Sequence, residues 1–331
     1  MADDNIEIKS YEFAVRGPSA QARLDAYLAE RLPDHSRTFI KKLIESGAVT
    51  VNGRPAKPSH SPRPGDDIVV RVPVFLTEPI EPEEIELNII YEDDWIVVIN
   101  KPADMVVHPA KGHQHGTLVN AVAYHCQQLS RYAGELRPGV VHRLDRDTSG
   151  VILMVKNDAV HEQMSEQFEQ RRVKKEYLAI CEGLLELDGD VIDAPIGEHV
   201  RKEEKRAVRH DIGREAQTAY EVVERLAGFS VVRCFPHSGR THQIRVHLAH
   251  IGHPVVCDAL YGRRDAIYLS DLTGAGRQPM EEPLLERQAL HARRLTVWHP
   301  VLKQEMTFEA EVPDDMMRLV NALRDVQGRG G

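Results

Sequence analysis

The sequence has no excess of basic residues, few cysteines and no long apolar run. Its 331 residues include 42 Lys and Arg against 51 Asp and Glu, a formal net charge of −9. That total disfavours a polyanionic partner. No apolar run reaches the roughly 18 residues of a membrane-spanning helix, and the start, MADDNIEIKSYEF, has neither the basic nor the apolar region of a secretory signal. We therefore expect a cytoplasmic protein.

The cysteines and histidines do not predict a metal site. The four cysteines are too widely spaced for paired ligands and too few for a disulfide framework, so reduced and mostly buried thiols are expected. Histidines cluster between residues 237 and 253. They lack a carboxylate at ligand spacing and fall on several faces of a predicted helix, so no metal is predicted there.

The negative charge is confined to two short segments. Residues 1–15 have a net charge of −3 and residues 74–95 a net charge of −8, whereas residues 16–73 have a net charge of +4. The stretch 77–86, TEPIEPEEIE, has two Pro and five Glu, which is typical of a solvated linker. We therefore predict domains at 17–74 and 88–325, joined by an acidic linker at 75–87.

The basic segment carries a helix–helix–strand–strand pattern. Two amphipathic stretches, ARLDAYLAERL and SRTFIKKLIESG, precede the alternating runs AVTVNG and DDIVVRV. Ser36 is a suitable N-cap for the second helix, and Gly47 is a suitable end. On that helix Arg37 and Lys41 share a face with Lys42 beside them, which by itself is common for a solvated basic surface.

This string of residues resembles the S4-type RNA-binding domain. Matching positions include RLDAYL, SRTFIKKLIESGAVTVNG and PGDDIVV. The resemblance implies that structured RNA is bound through its phosphates by Arg23, Arg37, Lys41 and Lys42. Such contacts position a nucleic acid without recognising its bases.

From residue 88 onward, strand patterns outnumber helices. Helices are predicted near 117–129, where Thr117 is a suitable cap, and near 158–171, 241–251 and 314–325. Strands are predicted in VILMVKND, KKEYLAICEGLL, QTAYEVVERLAGFSVVRCFP and LHARRLTVWHP. Because no regular βαβ alternation is present, we predict an α+β domain around a mostly antiparallel mixed sheet, with a loop insertion at 262–288.

The segment GVVHRLDRDTSGVILMVK is the strongest candidate for an active site. A short strand is followed by a loop dense in polar groups, with Asp145 at its centre, and then by an apolar strand. Functional groups are commonly placed on loops between rigid strands. A tight polar turn, in which Asp145 and Thr148 bind backbone N–H groups, is an equally good interpretation from these residues alone.

The same segment resembles the signature loop of pseudouridine synthases, in the branch that contains the bacterial large-subunit ribosomal RNA enzymes. INKPADMVVHP, KKEYLAI, SGRTHQIRVHLAHIGHPVVCDALYG and LHARRLTVWHP match the same branch. The resemblance implies the pseudouridine synthase fold and an isomerase that needs no cofactor or metal. It also implies 23S ribosomal RNA as substrate, with several clustered uridines of one stem-loop modified, and a monomer is expected.

The resemblance also implies roles for four residues. Asp145 is the catalytic carboxylate, which either attacks C1′ of the ribose or removes the C2′ proton. Arg245 is its cationic partner, Tyr177 stacks on the target base, and Arg143 helps to fill the space that the flipped uridine leaves. Helical spacing places Arg245 on the shoulder of a buried stripe, from which an arginine ordinarily points to solvent.

Further basic residues and two departures from the family pattern qualify this interpretation. RRVKK at 171–175 and RKEEKRAVR at 201–209 are candidate phosphate contacts or solvated loops. Asp104 stands where the family usually has Gly, which puts the geometry of that turn in question. Asp147 suggests a two-carboxylate glycosidase, but a hydrolase needs room for a water between its carboxylates, so a turn residue is the preferred interpretation.

Three other functions remain to be separated from this one. A related synthase could act on other 23S ribosomal RNA sites or on tRNA, and an RNA-binding protein could have lost catalysis. A nucleoside hydrolase would release free uracil. The presence of Asp145, Tyr177 and Arg245 disfavours an inactive protein.

Overall fold

The computed structural model describes residues 6–17, 23–33, 35, 37–75, 80–109, 114–126, 128–134, 137–202 and 204–329. The chain divides into two compact units, Met1–Glu78 and Pro79–Gly331. Ser36, the predicted helix cap, lies outside the described residues. No helix in these ranges is both long enough and apolar enough to span a membrane.

The first unit packs two helices against a small antiparallel sheet. Along helix α2, Ile40, Leu43 and Ile44 are buried, as the amphipathic spacing predicts. Gly47 follows this helix with a φ of 79°, a left-handed conformation that ends helices. The elements are β1 (Ile6–Ala14), α1 (Leu24–Arg31), α2 (Arg37–Glu45), β2 (Val49–Val51), β3 (Arg54–Pro55) and β4 (Asp67–Phe75).

Strand β1 was not predicted, because its sequence falls in the acidic first segment. It pairs with β4 over its whole length, from Ile6 opposite Phe75 to Ala14 opposite Asp67. The sheet order is β1-β4-β2-β3. The first unit therefore begins before residue 17, the predicted start of the domain.

The second unit is built on one large mixed sheet with helices against it. Its helices are α3 (Leu118–His125), α4 (Asp158–Glu169), α5 (Gln243–His250), α6 (Leu269–Thr273) and α7 (Asp314–Arg329). Its strands are β5 (Ile89–Glu92), β6 (Ile96–Lys101), β7 (Ser149–Val155), β8 (Lys174–Glu182), β9 (Gly189–Asp193), β10 (Ile196–Glu198), β11 (Arg206–Val208), β12 (Gln217–Leu226), β13 (Phe229–Pro236), β14 (Leu290–His299) and β15 (Gln304–Glu309).

The order of the strands brings the predicted motifs together at the centre of the sheet. Within the described ranges the order is β5-β6-β7-β14-β8-β13-β12-β9, with β15 paired to β14 and a separate β10-β11 pair. Strands β7 and β14 run parallel, and the other pairs in this sheet are antiparallel. The predicted α+β class with a mostly antiparallel mixed sheet is confirmed.

Residues 80–87 belong to the second unit and pack against its apolar core instead of forming an exposed linker. Ile80, Ile85 and Leu87 are half-buried against the apolar cluster that includes helix α3. The Glu83 backbone amide donates to the Asn120 backbone carbonyl, and the Asn120 side-chain amide donates to the Glu81 carbonyl. Composition alone overstated the exposure of this segment, because its isoleucines and leucine alternate with the glutamates and cover apolar surface.

Two local predictions in the second unit have different outcomes. Thr117 caps α3, since its hydroxyl accepts the Asn120 amide. The insertion 262–288, predicted as a loop, contains helix α6 and a bridge between Ile267 and Leu285. The short helix and the single bridge lack the periodicity that sequence patterns reveal.

Candidate active site

The loop between residues 140 and 148 is held from several directions. The buried Lys101 ammonium donates to the carbonyls of Pro102, Met105 and Arg146, at 2.6, 2.9 and 2.9 Å. Burial lowers the pKa of Lys101 to about 7, against the opposing charges of Asp147 and Asp145. Lys101 thus fixes the backbone of the loop one residue beyond Asp145.

Other side chains fix the two ends of the loop. His142 Nε2 accepts the Leu153 amide of β7 at 2.9 Å, and the His142 ring stacks on Phe168 at 4.6 Å. Gln288 donates to the Thr148 hydroxyl at 2.7 Å. The loop is therefore preorganised, as a site that positions a reactive group requires.

Two backbone positions in this region have left-handed conformations. Gly150 has a φ of +115°, and a Cβ there would lie 2.1 Å from the Ala292 carbonyl oxygen, so glycine is required where β14 meets β7. Asp104 has a φ of 58°. The turn therefore has a glycine-like conformation, which Asp tolerates better than most residues.

Asp145 is paired with a buried arginine. Arg245 Nη1 donates to Asp145 Oδ2 at 2.8 Å, while Arg245 Nε and Nη2 bind both oxygens of Asp258 at 2.6 and 2.8 Å. The exposed fractions of the Arg245, Asp145 and Asp258 side chains are 6%, 19% and 0%. Arg245 thus points inward from the shoulder of helix α5. Of the two carboxylates that it binds, that of Asp145 is the more accessible to a ligand.

The charges at this cluster are fixed by the arrangement. Burial opposes the charge of Arg245, but hydrogen bonds and attraction from Asp258, and then from Asp145, raise the pKa of Arg245 above its usual value. Arg245 therefore remains a cation, and it donates a hydrogen bond to Asp145. An ionised carboxylate beside a cavity can act as a nucleophile or as a base.

Tyr177 lies on strand β8, opposite Cys234 and Ala292, and lines a cavity that Asp145 and Arg245 also line. Burial, and secondly the charge of Asp145, raise the pKa of Tyr177. The residue therefore stays a neutral phenol, whose ring can stack on a planar base.

Two cavities are lined by the Asp145–Arg245 pair. One, of about 550 Å³, includes Tyr177 and the start of α5, and the other, of about 930 Å³, extends toward Asp104 and Arg318. Five residues line both cavities: Arg143, Leu144, Asp145, His242 and Arg245. Arg143 is exposed at this shared wall. The predicted residues Arg143, Asp145, Tyr177 and Arg245 therefore come together.

The basic segment RRVKK divides into two pairs. Arg171 and Lys175 line the smaller cavity, and among the described residues neither has a carboxylate partner. Arg172 and Lys174 instead form ion pairs with Glu166 at 3.5 Å and Glu305 at 3.0 Å. Burial, followed by the charge of Arg171, lowers the pKa of Lys175 to about 8.

Two arginines that the sequence patterns did not single out add to the positive charge contributed by Arg171 and Lys175. Arg214 and Arg240 also line the smaller cavity. The pKa of Arg240 is lowered by burial and then by the charges of Arg214 and Arg171. Cations that repel one another at a cavity bind an anion favourably.

The second basic segment, 201–209, is more fully partnered. Arg206 pairs with Glu198 at 3.4 Å and Arg209 with Asp211 at 2.7 Å.

Asp147, the second carboxylate of the candidate loop, pairs with Arg146 at 3.1 Å, and its side chain is 32% exposed. Asp147 is thus part of an exposed turn beside the site.

The histidine cluster does not converge on one point. His247 binds Thr218 and the Ala194 carbonyl, whereas His253 binds the Glu182 carbonyl. Within the described ranges, side-chain atoms at ligand spacing occur at Glu92, His125 and Cys126. These are not residues of the histidine cluster.

The four predicted RNA-binding cations of the first unit differ in their partners. Arg23 and Arg37 both bind Asp25, at 3.0 and 3.2 Å, and the Asp25 side chain is 4% exposed. Lys41 lies 3.7 Å from Glu45. Asp25 thus holds two half-exposed arginines side by side.

Sequence reasoning missed Lys101, His242 and Asp258 as parts of the site. Each lies within a segment that carries the family resemblance, INKPADMVVHP or SGRTHQIRVHLAHIGHPVVCDALYG. The signal was therefore present in the motifs. Their roles depend on contacts with residues distant in the sequence, such as Asp258 with Arg245, 13 residues away, and Lys101 with Arg146, 45 residues away. Spacing within a motif does not reveal such contacts.

Comparisons with family models give two matches. Residues 95–250 match the family described as RNA pseudouridylate synthase, and residues 22–68 match the S4 domain. The first match includes Asp145, Tyr177 and Arg245. The second includes Arg23, Arg37, Lys41 and Lys42.

Individual proteins are similar over most of the chain. An uncharacterized RNA pseudouridine synthase of Bacillus subtilis is 41% identical over 302 residues, covering 91% of this chain and 94% of the relative. The ribosomal large subunit pseudouridine synthase D of Xanthomonas campestris is 42% identical, covering 94% and 92%. A solved structure, human RNA Pseudouridylate Synthase Domain Containing 4, has a TM-score of 0.55 and 25% identity, covering 72% of this chain and 93% of that one.

Proposed function

The chain belongs to the RNA pseudouridine synthases, a family of isomerases, and we propose that it modifies uridines of 23S ribosomal RNA with Asp145 as the catalytic carboxylate. The observation that carries the proposal is the Arg245–Asp145 contact of 2.8 Å beside a cavity that also contains Tyr177. The pair lies within the stretch matched by the family.

The reaction breaks the N1–C1′ bond of uridine, turns the uracil and joins C5 to C1′. The hydrogen on C5 is lost to solvent and N1 gains one, so the atoms balance without a cofactor. Asp145 either attacks C1′ and is displaced again, or removes the C2′ proton and returns it. Both routes use the carboxylate of Asp145, to which Arg245 donates a hydrogen bond.

Tyr177 and Arg143 serve the target nucleotide. The uridine must leave its stem, which costs about a few kcal/mol of stacking energy. The neutral Tyr177 ring stacks on the flipped uracil beside Asp145. Arg143, exposed at the wall shared by both cavities, helps to occupy the space that the nucleotide leaves.

Binding of the RNA backbone involves cations in both units. In the first unit Arg23, Arg37, Lys41 and Lys42 contact phosphates, in keeping with the S4 match. In the second unit Arg171, Lys175, Arg214 and Arg240 contact phosphates that flank the target. Cations without carboxylate partners gain most from such contacts, because no ion pair has to be broken.

The finer parts of the proposal concern the target and the setting. Relatives named ribosomal large subunit pseudouridine synthase D favour large-subunit RNA over tRNA. Several clustered uridines of one stem-loop are the proposed sites, and the protein works as a cytoplasmic monomer. Mapping of modified positions in ribosomal RNA and tRNA from a strain that lacks the gene tests the target. Light scattering of the purified chain tests the monomer.

The catalytic assignment is tested by release of tritium from C5-labelled uridine in a 23S ribosomal RNA transcript. Asp145→Asn keeps the shape of the side chain but removes its charge, and we expect the release to fall by more than about a thousandfold. Unchanged release by this variant would overturn the role of Asp145.

Asp147→Asn is the matched control, because Asp147 lies on the same loop but pairs with exposed Arg146. Since exposed ion pairs contribute little, activity within about twofold of the parent is expected. Free uracil in the reaction would indicate a hydrolase. RNA binding without release of tritium or uracil would indicate a protein that binds only.

A further inference from the structure

Helix α5 begins at a histidine with an unusual backbone conformation. His242 has φ 58° and ψ 21°, and its side chain makes no capping hydrogen bond. A left-handed conformation costs free energy in a residue other than glycine, and such strain is concentrated at functional sites. Gln243 holds the turn in place through the Ser238 hydroxyl, the Arg240 amide and the Gln217 carbonyl.

Tyr261 can donate a hydrogen bond to one ring nitrogen of His242. The Tyr261 oxygen accepts the Arg206 amide at 2.7 Å and lies 2.9 Å from His242 Nδ1. A phenol oxygen that accepts one hydrogen bond can still donate its own hydrogen, here to Nδ1. Burial lowers the pKa of His242, against the opposing charge of Asp145, so the ring is neutral. In the tautomer that pairs with this donor, Nδ1 accepts and the ring hydrogen is on Nε2.

This Nε2–H group faces the catalytic carboxylate without binding it. His242 Nε2 lies 3.9 Å from Asp145 Oδ1, beyond hydrogen-bond distance, while Oδ2 is the oxygen bound to Arg245. Both side chains line both cavities. A neutral donor thus lies beside the reactive oxygen, with the gap between them open to a ligand.

We infer that His242 donates a hydrogen bond from Nε2 to the 2′-hydroxyl oxygen of the target ribose. The inference rests on the proposed function, because it takes Asp145 as the group that reaches C1′ or the C2′ proton. The 2′-oxygen is one bond from C2′ and two bonds from C1′, so either route brings it close to Asp145 Oδ1. His242 then orients the ribose and distinguishes RNA from DNA at this nucleotide.

The test combines two protein variants with two substrates. Asn tolerates the left-handed conformation and offers a polar atom near Nδ1, but His242→Asn lacks a donor at the Nε2 position. Gln places an amide nitrogen near Nε2, so His242→Gln restores the donor. The substrates are stem-loops with uridine or 2′-deoxyuridine at the position that the parent modifies, and the readout is the single-turnover rate.

With uridine, His242→Asn should be about tenfold slower than the parent, and His242→Gln should recover most of that loss. With 2′-deoxyuridine, parent and His242→Asn should be equal within about twofold, because the contact is already absent. Equal losses on both substrates would overturn the inference, as would full activity of His242→Asn. A parent protein that failed to modify the uridine stem-loop would instead contradict the proposed function.

Tyr261→Phe provides a second measurement that leaves the strained residue unchanged. Without the Tyr261 hydroxyl, Nδ1 loses its donor and the hydrogen is no longer restricted to Nε2. The rate on uridine should fall about threefold and the rate on 2′-deoxyuridine should not change. If His242→Asn lowers the melting temperature, this variant decides: a loss shared by both substrates would overturn the inference.

Discussion

Two charged clusters, one in each unit, contain the same kinds of ion pair in opposite proportions. In the first unit the carboxylate of Asp25 is shared by Arg23 and Arg37. In the second unit the guanidinium of Arg245 is shared by Asp145 and Asp258. Counted as formal charges, the first cluster is net positive and the second is net negative.

The difference shows how burial decides what each cluster presents. Asp25 is 4% exposed and its arginines are 46% and 56% exposed, so two cations face solvent. Arg245 is 6% exposed, whereas Asp145 is 19% exposed at a cavity, so a carboxylate faces the ligand. Buried residues hold the geometry, Asp25 in the first unit and Arg245 with Asp258 in the second. The more exposed partners are the residues to which we assign function: phosphate contacts for Arg23 and Arg37, and chemistry at the ribose for Asp145.

Removal of Arg245 should have the largest effect on this comparison. Arg245→Met leaves Asp145 and the buried Asp258 without the cation that they share, which is the costly way to break a buried ion pair. We expect tritium release to fall by more than about a thousandfold and the free energy of unfolding to fall by about 3–5 kcal/mol. Thermal unfolding and the release assay measure the two effects.

Arg264→Met is the control for this variant. Arg264 pairs with Glu182 at 2.8 Å, so its loss also breaks an ion pair to a buried carboxylate. Stability should decrease while tritium release is retained. If Arg245→Met kept release within tenfold of the parent, the shared cation would not be needed for the chemistry.

Asp25→Asn tests the first cluster and should have a smaller effect. Burial opposes the charge of Asp25, but the hydrogen bonds from Arg23 and Arg37 lower its pKa below the ordinary value of 3.8. A carboxylate with a lowered pKa stabilises the fold above its unfolded pKa, and this is lost as the pH falls through the folded value. At pH 7 the variant should therefore lose about 1–3 kcal/mol of local stability.

Hydrogen exchange of α1 and α2 in the full chain measures this loss. The difference between parent and variant should begin to narrow as the pH falls below 3.8, where the unfolded chain takes up a proton, and should be lost as the pH passes the lower pKa of the folded protein. A constant difference between pH 7 and pH 3 would show that the carboxylate charge is not what stabilises the first unit. Catalysis on a short stem-loop should be unchanged, in contrast to Arg245→Met.

The smallest expected effect comes from a comparison within the segment RRVKK, between cations that have a carboxylate partner and cations that have none among the described residues. Arg171→Gln with Lys175→Met removes two cavity cations, and we expect RNA affinity to fall about tenfold and the salt slope of binding by about 1.5. Arg172→Gln with Lys174→Met, in which both cations are already paired, should have less than half of that effect. Fluorescence anisotropy with a labelled stem-loop measures both.

The pKa of Lys175 adds a dependence on pH. Because that pKa is about 8, Lys175 is a cation below pH 8 and loses its charge above it. The affinity difference between the parent and the cavity variant should therefore shrink as the pH rises from 7 to 9. Equal effects of the two double variants would show that ion pairing does not decide which cations bind RNA.

Local patterns predicted much of the fold because burial follows periodicity. The stripe on α2, the cap at Thr117 and the strands β7, β8 and β14 occur as predicted. Strand β1 was missed because it lies in the acidic first segment, and residues 80–87 because proline and glutamate suggested a linker. In both segments interspersed apolar residues, Tyr11 and Phe13 in the first and Ile80, Ile85 and Leu87 in the second, cover a surface formed by residues elsewhere in the chain.

The residues of the candidate site also divide into those that sequence motifs identified and those that only tertiary contacts revealed. Asp145, Tyr177, Arg245 and Arg143 were found through motifs, and they line one cavity. Asp258 and His242 were not found, because their roles depend on a guanidinium and a phenol brought close by tertiary contacts. The segment RRVKK was identified as basic, but only the positions of Glu166 and Glu305 separate its carboxylate-paired cations from the two that have no carboxylate partner among the described residues.

The sequence by itself determined the family and the α+β class and pointed to the residues that we propose carry the chemistry, because these depend on local pattern and motif. Tertiary structure alone decided which charges are buried and which are shared. It placed one carboxylate under two arginines in the first unit and one arginine between two carboxylates in the second. The free energy of a charge depends on its partners and its distance from water, and neither is set by neighbouring residues in the chain.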